Sequence, residues 1–108
     1  MNLSPPITDI AAFHCQQAVE KLLKAYLFWQ GVDFEKTHDL RALVLLCADK
    51  DPAFTTLEPE AAPLTHYAVR FRYPGPPDPT VDEVRHALAV VNEVRTFVLD
   101  RLPPECRP

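Results

Sequence analysis

The spacing of apolar residues along the chain predicts helices that are separated by proline-rich segments. Residues 7–30 form the longest pattern, with apolar side chains recurring every three or four positions. These side chains are Cys15, Val19, Leu22, Leu23 and Tyr26. Either Ser4 or Thr8 can cap the start of the helix, and Gly31 can end it in the left-handed conformation. We therefore expect one long first helix over residues 7–30.

Two more helices are predicted in the middle of the chain. Thr37 or Asp39 caps the second, which ends before residue 51. Its apolar positions are Leu40, Leu43, Val44 and Cys47. Residues 51–63 contain three prolines, each of which removes a backbone donor, so they predict a loop with room for a single turn. The third helix covers residues 64–73.

A fourth helix begins after the proline-rich residues 74–79, which cannot continue a helix. Thr80 and Glu83 have the spacing of a capping box, in which each side chain binds the other residue's backbone amide. The buried stripe of this helix is Val84, Ala87, Leu88, Val91, Val94, Val98 and Leu102. No stretch alternates as a strand does. The pattern predicts an all-α fold, an up-and-down four-helix bundle, with residues 1–108 in a single domain.

Composition and charge narrow the functional classes. The formal charge of −4 argues against broad, sequence-independent binding of nucleic acid, although it permits a local basic patch. No apolar run reaches the ~18 residues that span a bilayer, and no signal peptide is recognisable, so we expect a cytoplasmic protein without membrane contact. The three cysteines have neither zinc-site nor redox-motif spacing and are expected to be reduced thiols. We assign no metal and no cofactor.

The polar residues of the first helix are candidate ligand-binding groups. His14, Gln17, Lys21 and Lys24 follow one another at spacings of three, four and three, which places them on one side of the helix. This stripe can hold an anion, or it can be a solvated face. Glu20 and Lys24 are also spaced to form an i,i+4 ion pair, which favours the solvated interpretation.

Three motifs occur in order along the chain. They are Phe-His-x-Gln-Gln-Ala-x-Glu-Lys-x-Leu-Lys-Ala at residues 13–25, Lys-Thr-His-Asp-Leu at residues 36–40 and Arg-Tyr-Pro at residues 72–74. Together they resemble the HEPN domain family of small helical domains, and the resemblance spans residues 13–102. It implies an all-α bundle, a shared role for the polar residues of the first motif, and frequent pairing with a minimal nucleotidyltransferase in a toxin–antitoxin system. HEPN domains typically carry another helix before the first motif, where this chain has twelve residues.

That difference leads us to predict a homodimer. A partner copy would cover the surface that the additional helix covers in other HEPN domains. The apolar residues expected on that surface lie outside the main stripe of the first helix and are Ala12, Phe13, Ala18, Leu27, Phe28 and Trp29.

A second candidate cluster lies on the third helix. His66 and Arg70 are four residues apart on one helix face, and Arg72 and Tyr73 are close by. Together they could clamp a phosphate and offer an aromatic ring for a base. The alternative is that Arg72 forms a structural pair with a carboxylate such as Glu20 or Asp39, and that Tyr73 packs at the end of the bundle. For His38, the sequence predicts a structural role, in which its ring or Asp39 caps the second helix.

Ribonucleases of the HEPN family carry an Arg-x4–6-His motif, and this chain has none. Counting forward from Arg41, Arg70, Arg72, Arg85 and Arg95 reaches no histidine at that distance. We therefore assign no catalytic residue. Three hypotheses remain: a nucleotide- or RNA-binding or interaction domain paired with a nucleotidyltransferase, a ribonuclease toxin with an atypical site at His66 and Arg70, and a structural helical dimer without a ligand.

Overall fold

The computed structural model describes residues 7–72 and 78–106, with the side chains of residues 70–72 and 106 outside the described part. The helices are α1 (Ile7–Trp29), α2 (Leu40–Lys50), α3 (Glu58–Ala61), α4 (Thr65–Arg72) and α5 (Val81–Leu99). Turns of 3-10 helix cover Pro52–Leu57, Ala62–Leu64 and Pro104–Cys106. No strand occurs within the described ranges, which confirms the all-α fold class.

The predicted helix ends on either side of the first loop are confirmed. Gly31 has φ of 71°, and its amide donates to the carbonyl of Phe28 (3.1 Å). The amide of Val32 donates to the carbonyl of Leu27 (2.9 Å), which completes a Schellman motif. After the loop, Asp39 caps α2 by accepting from two amides of its first turn. Ser4, the alternative cap of α1, lies outside the described residues.

The capping box before α5 is also confirmed. The Thr80 hydroxyl accepts from the Glu83 amide (3.0 Å), and the Glu83 carboxylate accepts from the Thr80 amide (2.8 Å). Two of the amides that a helix start leaves unpaired are thus satisfied by side chains.

The prediction of a loop over residues 51–63 is wrong, because this segment is helical in short pieces. Each proline lies at the first or second position of its piece, where the missing amide would have had no helical partner. The Asp51 carboxylate caps the first piece by accepting from the Ala53 amide (3.0 Å). Proline therefore divides this segment into successive helix starts instead of abolishing helix.

α1 is the central element, and α5, α4 and α2 pack around it. The core is fully buried and runs the length of α1. The segment that was predicted as a loop contributes Phe54, whose buried ring lies 4.5 Å from that of Tyr26 and 4.8 Å from that of Phe97, centroid to centroid. It therefore closes one end of the core.

The predicted apolar patch on α1 needs correction. Ala12 and Leu27 are fully buried in the core, because they lie three residues before Cys15 and four after Leu23, in phase with the buried stripe. Phe13 and Ala18 are half-buried. Phe28 is 82% exposed, so it remains a candidate for burial by a partner.

Replacing Phe54 with alanine tests the role of the 51–63 segment. Because the ring is fully buried between two aromatic rings, we expect Phe54→Ala to lower the free energy of unfolding by about 3–5 kcal/mol. Leu88, which the sequence pattern placed in the buried stripe of α5, is in fact 51% exposed. Leu88→Ala is therefore the control and should cost less than about 1 kcal/mol. Urea unfolding at fixed protein concentration measures both, and equal losses would contradict the assignment.

Candidate functional site

A buried carboxylate organises the polar side of α1. Glu20 is 4% exposed, and its two oxygens are held by three side chains. Oε1 accepts from Nε2 of Gln16 (3.1 Å) and contacts Nδ1 of His38 (2.7 Å), and Oε2 accepts from Nζ of Lys24 (2.9 Å). The geometry follows from helix periodicity, since residues 16, 20 and 24 succeed one another at i,i+4 spacing.

Glu20 is ionised in this setting. Burial alone would raise its pKa, but the hydrogen bonds from His38, Lys24 and Gln16 outweigh burial and hold the pKa below its ordinary value. An ionised carboxylate can only accept, so the short contact requires His38 to carry a proton on Nδ1. With that proton on Nδ1, a neutral ring presents Nε2 as an acceptor and a doubly protonated ring presents it as a donor, on a side chain that is 47% exposed.

The chain segment that carries His38 is fixed to the bundle from several directions. Gln16 Nε2 also donates to the His38 carbonyl (3.2 Å). The Gln16 amide therefore binds both the Glu20 carboxylate, which contacts the His38 ring, and the His38 backbone. The next residues enter α2, where the Leu40 amide donates to the Thr65 hydroxyl (3.0 Å). His38 thus presents an exposed ring on a backbone that hydrogen bonds hold in place.

The structure divides the predicted polar stripe into two parts. Lys24 is half-buried and paired with Glu20, which confirms the expected i,i+4 pair, and half-buried Gln17 donates to Oε1 of Gln16 (2.9 Å). His14 and Lys21 are exposed on the neighbouring part of the helix surface. The stripe therefore consists of a structured edge beside His38 and an exposed pair farther round the helix.

The second predicted cluster is only partly described. His66 is exposed, its Nδ1 lies 2.7 Å from the Pro63 carbonyl, and its ring centroid lies 4.2 Å from that of Tyr67. Arg70 and Arg72 lie at the end of α4 with side chains outside the described part, and Tyr73 lies outside it altogether. Contact between these residues and His66 therefore remains a prediction.

The described residues that line the groove around His66 include three carboxylates and a second histidine. Its wall includes Glu60, Asp82 and Glu83, and Nε2 of His86 lies 3.3 Å from Oε2 of Glu60. Three carboxylates repel a phosphate, so this groove does not favour the phosphate clamp that the sequence suggested.

Residues 2–102 match the family model of the HEPN domain. The chain belongs to the HEPN domain family. The match begins nearer the N-terminus than the motifs do, since these were traced from residue 13. No curated protein and no solved structure matches the chain. Membership of the family supports a nucleotide- or RNA-related function in general.

Other site classes find little support in the part of this HEPN domain that the structure describes. No group of three metal-ligating side chains occurs there, and none of the helices there is long and apolar enough to cross a bilayer. Cys15 and Cys47 are buried free thiols, as expected. Burial raises the pKa of Cys47 to about 12, so it is not a nucleophile at neutral pH.

Sequence reasoning missed the role of Gln16 and the contact between Glu20 and His38. A signal was present, because Gln16 and Glu20 occupy the buried side of α1 together with Val19 and Leu23. Polar residues that lie on the buried face of a helix need hydrogen-bond partners inside the protein. The partner residue His38 could not be identified from spacing, since it lies 18 positions from Glu20.

A substitution at Glu20 tests whether its charge stabilises the fold. Because the folded-state pKa lies below the ordinary value of 4.5, the stabilisation is fully present above about pH 4.5 and is lost as the pH falls through the folded-state pKa. Glu20→Gln should lower the free energy of unfolding by about 2 kcal/mol at pH 7. The difference in the free energy of unfolding between the wild type and Glu20→Gln should shrink as the pH falls below about 4.5. Urea unfolding at pH 7 and at a pH below 4.5 measures this difference.

The matched control is Glu93→Gln at an exposed site on α5, which should change stability by less than about 0.5 kcal/mol. A difference between wild type and Glu20→Gln that persists unchanged at low pH would show that the charge of Glu20 is not the stabilising feature.

Proposed function

We propose that this HEPN domain binds a nucleotide or an RNA end at the edge of α1 formed by His38, Lys24 and Gln17, and that it acts as the partner of a minimal nucleotidyltransferase. The observation that carries the proposal is the fixed imidazole of His38. Glu20 and Gln16 hold its ring and backbone, so Nε2 is a preorganised acceptor for a ligand hydroxyl or amine.

The charges of this edge suit a phosphate-containing ligand. Lys21 carries an exposed positive charge beside this edge and His14 is exposed one turn farther along α1, while Lys24 is half-buried and paired with Glu20. Glu20, whose negative charge would oppose binding, is buried and paired with three donors. The formal charge of the whole chain is −4, and the exposed Lys21 places a positive charge beside this edge.

Pairing with a nucleotidyltransferase rests on family membership. HEPN proteins are frequently paired with such an enzyme, and a domain that binds a nucleotide suits an enzyme that transfers one. The ribonuclease alternative would need a site at His66 and Arg70, and the three carboxylates around His66 weaken it.

The proposal predicts that ATP or a short RNA raises the melting temperature and quenches or shifts the fluorescence of Trp29. Removing the ring of His38 by His38→Ala should weaken binding by roughly 10- to 100-fold, since a hydrogen bond to a charged or preorganised group is lost. Isothermal titration of each purified variant measures the dissociation constant.

His86→Ala is the control, because this histidine is exposed on α5 and lines the groove around His66. It should leave binding unchanged. If neither ATP nor the short RNA binds to the domain at millimolar concentration, the proposed function is contradicted. Binding that His38→Ala does not weaken would show that the ligand site lies elsewhere on the domain.

A further inference from the structure

An apolar groove runs along the side of α2 that lies opposite its buried face. Ala42, Leu45 and Leu46 form one wall of this groove, at the i,i+3,i+4 spacing of neighbours on a helix surface. Phe34, in the loop before α2, lies in the opposite wall, and the groove has a volume of about 580 Å³. Leu45 is 45% exposed. The outer face of a surface helix normally carries polar residues, so this one is apolar surface that lacks a cover.

The walls of the groove are held in place by contacts within the domain. The loop begins at the hydrogen bond from the Val32 amide to α1 and ends where the Asp39 amide donates to the Thr37 hydroxyl (3.0 Å). Between these points, Phe34 packs against the core, and its ring centroid lies 5.8 Å from Nζ of Lys24. The groove is therefore preformed, and a partner that enters it loses little affinity to the ordering of this surface.

Three carboxylates surround the apolar walls. Asp33 and Glu35 come from the loop, Asp49 comes from α2, and all three are exposed. None of them has an ion-pair partner in the part of the chain that the structure describes. Lys36 and Lys50 follow two of these acids in sequence, but neither is among the described residues that line the groove. The rim therefore attracts cationic groups and repels phosphate.

These properties determine which kind of partner fits. Nucleic acid is disfavoured by the three carboxylates, and a second copy of this chain is disfavoured by its own charge of −4. The described ranges contain no strand, so they offer no sheet edge to which an extended peptide could add. The wall from Ala42 to Asp49 is seven positions long, which is about 10 Å or two helical turns. A short amphipathic helix matches this length and an apolar wall of this kind.

We propose that the groove between α2 and the loop before it docks a basic amphipathic helix of another protein. The apolar side chains of that helix contact Leu45 and Phe34, and its lysine and arginine residues pair with the carboxylates of the rim. The apolar contacts supply most of the affinity. The rim charges orient the helix and speed its association, and salt screens them.

The groove is distinct from the ligand edge of the proposed function. Thr37 lines the groove, whereas the next residue, His38, contacts Glu20 and is not among the lining residues. The inference goes beyond the proposed function, because its test contains neither a nucleotide nor a nucleotidyltransferase. Either can fail while the other holds.

A synthetic peptide tests the groove on the purified full chain. The probe is Lys-Lys-Leu-Ala-Ala-Leu-Leu-Ala-Lys-Lys, acetylated and amidated, which places three leucines at i,i+3,i+4 spacing between two pairs of lysines. We expect it to shift the amide NMR resonances of residues 33–37 and 42–49. The same peptide with glutamate in place of each lysine should bind at least about 10-fold more weakly. No binding of the lysine peptide at millimolar concentration, or shifts confined to other residues, overturns the proposal.

Leu45→Ala tests the apolar wall. This side chain is partly exposed, so its loss should leave the fold intact, yet it should weaken binding of the lysine peptide about 5- to 10-fold because an apolar contact is removed. Leu88→Ala is the matched control, since Leu88 is exposed to a similar degree on α5, and it should bind as the wild type does. Equal affinity of Leu45→Ala and Leu88→Ala contradicts the proposal.

Neutralising the rim tests the charges. The double variant Glu35→Gln with Asp49→Asn should bind the lysine peptide at least about 10-fold more weakly at low salt, and added salt should reduce this difference. The control is Glu93→Gln with Asp100→Asn, at two exposed acids elsewhere on the surface. An unchanged affinity in the rim variant overturns the proposed charge pairing.

Two further titrations separate the proposed partner from other occupants. A short RNA should leave the resonances of residues 33–37 and 42–49 unchanged, and so should dilution of the wild-type chain without peptide. Shifts of these resonances by RNA would assign the groove to nucleic acid, and shifts on dilution would assign it to a second copy. Either result overturns the assignment to a basic helix.

Discussion

The pairing of Glu20 with its three donors is the interaction on which the polar side of this domain depends. A carboxylate that is 4% exposed would be strongly destabilising without partners, so Gln16, Lys24 and His38 are required to hold it. Two of these donors lie on α1 itself, and the third comes from the loop after it. The carboxylate therefore joins a helix to the backbone that leads into α2.

This constraint gives α1 a distinct role on each of its sides. One side forms the core with α5, α4 and α2, and the adjacent edge carries the polar network. The side opposite the core is exposed and carries His14, Lys21 and Phe28. A 23-residue helix at the centre of a small bundle has enough surface for all three, and the polar network separates the core from the edge that we propose as the ligand site.

The parts of the fold that could be predicted from sequence are those with local causes. Gly31 ends α1, Asp39 starts α2, and Thr80 with Glu83 starts α5, each through contacts within a few residues. The helical nature of residues 51–63 was missed because prolines were interpreted as breaks. In fact, each of them starts a short helical piece.

The candidate site was less predictable, because its geometry depends on contacts between distant residues. The sequence indicated the polar residues of α1, but it could not show that Lys24 is bound to a buried carboxylate while Lys21 is exposed. Nor could it assign His38, whose partner is 18 positions away. Spacing along one helix predicts which side chains share a face, and it does not predict which loop packs against that face.

The most direct test of this account is the tautomer of His38, measured by long-range proton–nitrogen NMR correlations of the histidine rings at neutral pH. We predict a proton on Nδ1 and none on Nε2 in the wild type, with this preference weakened in Glu20→Gln. A wild-type ring that is protonated on Nε2 alone would show that Glu20 does not hold His38, and would contradict the proposed acceptor at the ligand edge.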